Sequence, residues 1–403
     1  MPSSFTDLGV PAEIDRSLRA RGITTPFPIQ ELAVPPALED RDVCGRAPTG
    51  SGKTIAFGIP VAIKARGARP RRPRALILAP TRELAAQIQS EIALLLGRRG
   101  RDRVAAFYGG VGFGAQLAAL RRGVDVAVAC PGRLEDLMQR GACDLSEVQV
   151  VVLDEADRMA DMGFLPAVRR ILDQVPADRQ TLLFSATLDG EVDVLVRRYQ
   201  RSPVRLEVEQ ADDGAPAAEH HWVPTPREER VQRAAGYVAS HGSAIVFCRT
   251  KHGTDRLARQ LAQAGVKAVP IHGGRSQSQR DRALAAFTAG RAQALVATDV
   301  AARGIHVDNV GCVVHFDLPA TDKDYLHRSG RTGRAGAAGV VVSLVTPEDR
   351  EAAGVLRRAL GQGGAKVAPG QGGAKAAPGR RPGPARRDRK DRSNGRRRDR
   401  SAA

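Results

Sequence analysis

Cysteine is scarce in this chain, and the little there is does not pair. The five cysteines, Cys44, Cys130, Cys143, Cys248 and Cys312, are odd in number and scattered, with no Cys-x-x-Cys spacing among them. This argues against a disulfide framework or a zinc site and for a reducing compartment. Long apolar runs are absent as well: none approaches the ~20 residues needed to span a bilayer, so no membrane partner is expected. The first residues are polar and charged where a secretory leader needs an apolar stretch, and the expected location is cytoplasmic. Aromatic residues amount to 4%, while the hydrophobic total of 42% is ordinary for a soluble chain.

Positive charge is what the chain has in excess. Its 403 residues carry a net +18. Residues 361–403 hold 13 Lys/Arg against 3 Asp, or +10, which leaves +8 for residues 1–360. A basic excess on both parts favours a polyanionic partner, nucleic acid first, over a merely solvated basic protein. The length allows two domains and a tail.

Short runs rich in Val, Ile and Leu alternate with helical patterns: 75–79, 150–153, 182–184, 245–247, 294–297 and 313–314. They read as strands buried on both faces. Leu84, Ile88, Ile92 and Leu95 fall on one helical face that covers such a sheet. Repeated βαβ units predict an α/β chain with open parallel sheets. Residues 207–221 lose the apolar period and are expected to link domains at 1–206 and 222–360. From Gly361 a nine-residue unit occurs twice, at 361–369 and 370–378, before a run of Arg, Asp, Gly and Pro. Residues 361–403 cannot bury a core and are expected to be a disordered basic tail.

Four segments carry chemistry. Ala47-Pro48-Thr49-Gly50-Ser51-Gly52-Lys53-Thr54 follows a strand expected at 42–46 and opens a helix. Gly50 and Gly52 let backbone N–H groups approach phosphate oxygens, and the helix N-terminus adds its dipole. Lys53 reaches the β- and γ-phosphates and Thr54 ligates magnesium. The strict pattern has Gly where Ala47 stands, and a structural glycine-rich turn is the alternative. Asp154-Glu155-Ala156-Asp157 ends a strand, where open α/β sheets bind ligands. Asp154 suits Mg2+, partly through water, and Glu155 suits a base that orients and deprotonates an attacking water. Four such residues also make an ordinary charged turn. Ser185-Ala186-Thr187 follows the next strand; its hydroxyls suit a bond to Asp157 or a plain helix cap. In His327–Arg334, Arg331 and Arg334 stand beside glycines, so that their guanidiniums reach phosphate across a domain interface, or else bind RNA backbone. In this order the segments describe ATP hydrolysis between two domains.

The motif set resembles that of the DEAD-box RNA helicases of superfamily 2, over roughly residues 3–346. Thr25-Pro-Phe-Pro-Ile-Gln30, with Phe5 placed 17 residues before Gly22, resembles the family's Q motif. The resemblance implies two tandem RecA-like domains, with ATP and Mg2+ as cofactors. Gln30 then reads the adenine edge, with Phe5, Asp299 and His306 as further ATP contacts, and Asp157, Ser185, Thr187 and His327 couple the domains. Motifs at 80–84, 109–110, 131–133, 247–250, 272–274, 277–280 and 298–304 face RNA by the same resemblance. They imply a groove formed by Pro80, Thr81, Arg82, Gly110, Arg133, Thr250, Gly274, Arg280, Thr298 and Arg303. Such backbone contacts carry no sequence code, and 2′-OH contacts favour RNA over DNA.

The chain departs from the family at several positions. Ile23 stands where an aromatic often stacks on adenine, Phe27 and Cys130 replace Thr, His306 replaces an Asp that touches the ribose, and Ser329 replaces Ile. The short core and basic tail look most like the bacterial RhlE-like members. The implied partners are single-stranded and duplex RNA; ribosome assembly, mRNA decay and cold adaptation all fit. A DNA helicase of the same superfamily and an RNA-annealing chaperone are the rival readings.

Overall fold

The computed structural model describes residues 4–48, 50–97, 100, 102–208, 218–302, 310–333 and 339–361. Of the expected features, Thr49, Arg303, His306, Arg334, most of the linker and tail residues 362–403 lie outside the described residues.

The described residues form two wholly parallel sheets. The first contains β1 Val43–Arg46, β2 Ala75–Leu78, β3 Val104–Phe107, β4 Val126–Ala129, β5 Val150–Asp154, β6 Gln180–Ser185 and β7 Val204–Glu207, in the order β3-β4-β2-β5-β6-β1-β7. The second contains β8 Glu219–Pro224, β9 Ala244–Phe247, β10 Ala268–Ile271, β11 Ala294–Ala297, β12 Cys312–His315 and β13 Val340–Val345, in the order β10-β11-β9-β12-β13-β8.

The apolar runs are continuous because each strand serves two cores. Side chains alternate faces. Ile77, Val128 and Val152 therefore pack with Phe57, Ile88 and Ile92 on one side of the first sheet. Leu76, Ala127, Val151 and Leu153 pack with Leu134, Met159 and Ile171 on the other. The expected helical face is realised in the helix Arg82–Leu95, where Leu84, Ile88, Ile92 and Leu95 are all buried.

The linker expected at 207–221 is too long at both ends. Glu207 ends β7, and Glu219, His220 and His221 open β8. The segment lacks an apolar period because β8 is an edge strand, paired only with β13, and edge strands tolerate polar residues. Its side chains anchor it: His220 Nδ1 lies 2.8 Å from the Tyr325 hydroxyl, and Trp222 stacks on the Tyr325 ring at 5.3 Å. Tyr325 belongs to the helix Asp322–Ser329, which also carries His327.

Candidate active site between the two sheets

Strand order brings the first-domain motifs together. β6 lies between β5 and β1, so the loops after these three strands open side by side at their C-terminal ends. Ser185, at the end of β6, joins the other two. Its carbonyl accepts from the Ala47 N–H at 3.0 Å, and its hydroxyl accepts from the Asp157 N–H at 3.1 Å. The expected bond to Asp157 thus goes to the backbone and not to the carboxylate. The Thr187 hydroxyl is buried without a hydrogen-bond partner among the described residues.

The phosphate loop needs its glycines. Gly50 and Gly52 have φ of 91° and 87°, values that L side chains rarely adopt. Gly52 caps the helix Lys53–Lys64, whose first N–H groups have no intrahelical acceptor. Lys53 is 8% exposed and donates to the carbonyls of Ala47 (2.8 Å) and Pro48 (2.9 Å). Burial lowers its pKa, against the pull of Asp154, Glu155 and Asp157. Pro48 also accepts from the Ser51 hydroxyl at 2.9 Å. Ala47 costs the loop nothing visible, since its N–H and carbonyl are both engaged. Thr54, beside Lys53 in the first turn of the helix, is partly exposed.

Asp154 and Glu155 are 3% and 4% exposed. Desolvation pushes the Asp154 carboxyl up to about 7, opposed by Lys53. A buried carboxylate in that condition calls for a further cation. Glu155 has φ 53°, a strained conformation for a residue with a Cβ, costing of order 1–3 kcal/mol. Its N–H donates to Asp154 Oδ1 at 3.0 Å. The carboxylate lies 3.5 Å from Arg158 Nε, yet Oε2 has no hydrogen-bond partner. Among the described residues, Asp157 Oδ2, one terminal nitrogen of Arg158 and His327 Nδ1 are buried orphans as well. Such orphans are costly unless a ligand or water satisfies them, so this region fits a phosphate–metal group.

The second domain supplies the facing wall. Arg158 from the first domain lines one cleft with Asp299, Asp324, His327, Arg328 and Arg331. Burial and the Arg158 charge lower the His327 pKa to about 4, so its ring is neutral near pH 7. Arg331 is 4% exposed. Asp299 holds Arg328 through two contacts of 2.5 and 2.8 Å, and Arg328 donates to the Asp317 carbonyl at 2.7 Å. In this arrangement Asp299 orients an arginine and also lines the cleft. Sequence reasoning missed Arg158 and Arg328; the three-residue spacing from Glu155 to Arg158, one helical turn, is the signal for the first.

At the base end, Gln30 is fully buried. Its Oε1 accepts from the Phe27 N–H at 2.9 Å, and its Nε2 donates to the Gly52 carbonyl at 3.0 Å. One amide hydrogen and one carbonyl lone pair are left over, but the side chain has no exposed surface through which a base reaches them in this arrangement. Phe5 needs correction: at 0% exposure it packs in the core with Ile14, Leu18 and Ile29, and a ring with no exposed surface does not contact ATP.

Of the expected RNA residues, Thr81 and Thr250 cap equivalent helices in the two domains. Each Oγ1 accepts an N–H, from Leu84 at 3.3 Å and from Gly253 at 3.0 Å. Gly110, Thr250 and Gly274 are exposed, and Thr298 is 8% exposed. Arg82 packs against Gly110, where a Cβ would run into the guanidinium. Arg133 donates twice to the Val111 carbonyl at 3.2 Å. Pro80 is buried.

Arg280 is the other correction. It is turned into the domain interface, 2.7 Å from Glu83, with side-chain exposures of 7% and 5%. Gln277 adds a 3.3 Å hydrogen bond to the same carboxylate. A more exposed interdomain pair, Lys323–Asp161, measures 2.9 Å at 39% and 29% exposure. Breaking a buried pair costs about 3–5 kcal/mol against about 0–1 for an exposed one. Arg280→Ala is therefore expected to raise sharply the RNA concentration for half-maximal ATPase stimulation, and Lys323→Ala to leave it nearly unchanged. Equal small effects would show that the Glu83 pair does not hold the domains together.

Comparisons with known proteins agree with this geometry. The DEAD/DEAH box helicase model matches residues 27–195, and the helicase conserved C-terminal domain model matches residues 228–336. DEAD-box ATP-dependent RNA helicase 30 of Arabidopsis thaliana is 43% identical over 374 residues, covering 91% of this chain and 63% of that protein. The chain thus spans between about a third and two-thirds of the length of the first curated relatives it matches. DEAD-box ATP-dependent RNA helicase 20 of the same plant is 39% identical, with 91% of this chain and 74% of that protein covered. Among solved structures, S. cerevisiae Dbp5 bound to RNA and ADP BeF3 has 28% identity and a TM-score of 0.78, covering 89% of this chain and 94% of that one. Mss116p bound to ssRNA and AMP-PNP, also 28% identical, scores 0.76 over 89% and 78%. With both halves matched by helicase models and one relative matched over nearly three-quarters of its length, the chain belongs to the DEAD-box helicase family.

Proposed function

We propose that this chain is an ATP-dependent RNA helicase. Binding of ATP and single-stranded RNA closes its two domains, the closure unwinds short duplexes or remodels ribonucleoprotein locally, and RNA-stimulated ATP hydrolysis follows in the closed state. The observation that carries the reading is the shared cleft, in which Arg158 of the first domain, paired with Glu155 at 3.5 Å, faces His327, Arg328 and Arg331 of the second. The TM-score of 0.78 against an RNA-bound relative supports it, since one domain, about half the chain, does not by itself reach such a score.

The residues divide the work. ATP phosphates take over Lys53 from the Ala47 and Pro48 carbonyls and accept N–H bonds from the start of the helix. Glu155 removes a proton from the water that attacks the γ-phosphorus, as the bond to the β–γ bridging oxygen breaks. Arg331 and Arg334 offset charge on the departing phosphoryl group. Asp154 and Thr54 would hold Mg2+, which would supply positive charge to offset that of the phosphates. Gripping sugar and phosphate in a bent path excludes a duplex, so one strand leaves. The RhlE-like subtype, a cytoplasmic location and work on ribosome assembly or RNA decay belong to the same proposal; the short core and basic tail support the first.

The test compares ATPase stimulation and strand displacement with RNA and DNA of equal length. RNA-selective stimulation with ATP-dependent displacement is expected, and equal stimulation by DNA would favour a DNA helicase. Annealing with no ATPase would favour a chaperone. The tail, with 13 Lys/Arg and no aromatic residue in 361–403, is expected to tether RNA by charge. Each phosphate it neutralises steepens the slope of log K against log salt by about 0.7. A variant ending at Leu360 should show a shallower slope and unchanged turnover at saturating RNA. Identical slopes would reduce the tail to a solubility device.

A further inference from the structure

Beyond the interdomain groove, the first domain carries a second basic surface. Residues 66–74 contain five arginines. Three of them are paired: Arg69, Arg72 and Arg74 with Glu147 at 3.2–3.3 Å, and Arg72 also with Asp144 at 2.9 Å. Arg71 is set apart. Its φ is +67°, strained for a residue with a Cβ. Backbone bonds hold it there, from its N–H to the Leu120 carbonyl (2.7 Å) and from the Asp144 N–H to its carbonyl (2.8 Å). The exposed Arg71 lines an open cleft with Arg121, Arg140 and Leu117, and among the described residues no carboxylate lines that cleft.

The cleft is joined to the groove by stacked cations. The Phe113 ring lies between Arg133, 4.1 Å from its centroid, and Arg140, 4.3 Å from it. Arg133 holds the Val111 carbonyl, next to Gly110 and Arg82. A positive path therefore runs from Arg82 through Arg133 and Arg140 to Arg71 and Arg121. Three guanidiniums around one cleft repel each other unless a polyanion neutralises them. We propose that this cleft binds the phosphates of the RNA strand where it continues beyond the interdomain groove. A continuous strand is favoured over an acidic protein because the path leads directly from residues expected to hold RNA backbone.

The proposal rests on the RNA reading above, and its test separates the two. Binding of oligouridylates of increasing length is measured over a salt series for the full chain and for Arg71→Gln/Arg121→Gln. The variant is expected to match the parent on the shortest oligomers that stimulate ATPase. On longer ones it should fall behind by roughly tenfold, with a salt slope shallower by about 1.4 for two phosphates. Arg71→Lys/Arg121→Lys should restore most of both. Curves that overlay at every length, or a deficit equal at every length, would overturn the proposal. Unchanged RNA binding with lost binding of poly-glutamate would assign the cleft to an acidic protein instead. A parent that no oligouridylate stimulates would refute the helicase reading itself.

A separate observation concerns the base. Phe27 is 55% exposed, unusual for a large apolar ring, and its backbone N–H holds the carbonyl oxygen of the Gln30 amide. The ring abuts the phosphate loop: a Cβ on Gly52 would stand 2.7 Å from Phe27 Cδ2. Ile23, at the position where an aromatic is common, packs instead against the first-domain core. The geometry points to Phe27 as the platform on which the adenine ring stacks, beside Gln30. Losing one base–aromatic stack typically weakens binding by ~5–150-fold. Phe27→Ala is expected to weaken ADP binding by roughly tenfold and Phe27→Tyr to restore it. In Phe27→Trp the new indole fluorescence should respond to ADP, since Trp222 is buried in the other domain. Unchanged ADP affinity in Phe27→Ala would overturn the assignment.

Discussion

Replacing Arg331 with Ala is expected to lower RNA-stimulated ATP turnover by roughly 10³-fold or more, the range seen when an arginine finger is removed. Arg331 lies on the second domain, 4% exposed, in the cleft it shares with Arg158 of the first. Its guanidinium is therefore desolvated, where a charge aimed at a transferring phosphoryl group has its greatest effect. Because it arrives from the other domain, its contribution requires closure, and this ties hydrolysis to RNA. Arg331→Lys keeps the charge but loses the planar fork, and an intermediate rate is expected. The measurement is single-turnover hydrolysis at saturating RNA, with a thermal melt to exclude unfolding. Weakened RNA binding with normal saturated turnover would instead make Arg331 a backbone contact.

Glu155→Gln is expected to bind ATP and RNA while turnover falls by about 10²–10⁴-fold, as on removal of a general base. The amide has the same shape, so the left-handed backbone at 155 and the N–H bond to Asp154 Oδ1 are retained. What is lost is the ability to accept a proton, so the variant should accumulate as a closed complex with ATP and RNA. Equilibrium RNA binding in the presence of ATP, together with steady-state turnover, checks both halves. Near-normal turnover would remove Glu155 from the base role and leave the buried orphan Oε2 without a chemical explanation.

Local pattern was enough for much of this protein. The strands of two parallel sheets are legible because burial on both faces forces unbroken Val, Ile and Leu runs. The face Leu84, Ile88, Ile92 and Leu95 is legible because a helix covers one of those faces. The phosphate loop, Asp154–Asp157 and His327–Arg334 are contiguous segments whose chemistry needs those residue types at that spacing, and they locate the site without coordinates.

The tertiary structure decided which of these residues face the cleft. Strand order β5-β6-β1 placed Ser185 between Ala47 and Asp157. Domain packing turned Arg280 onto Glu83 and away from RNA, core packing withdrew Phe5 from ATP, and an edge position made a strand of residues first read as linker. It also gave Arg71 its left-handed backbone and set Phe27 beside the phosphate loop. Each of these depends on residues far apart in the chain. Their contacts are set by sheet topology and by the fit of two domains, and a local pattern of side chains carries no record of either.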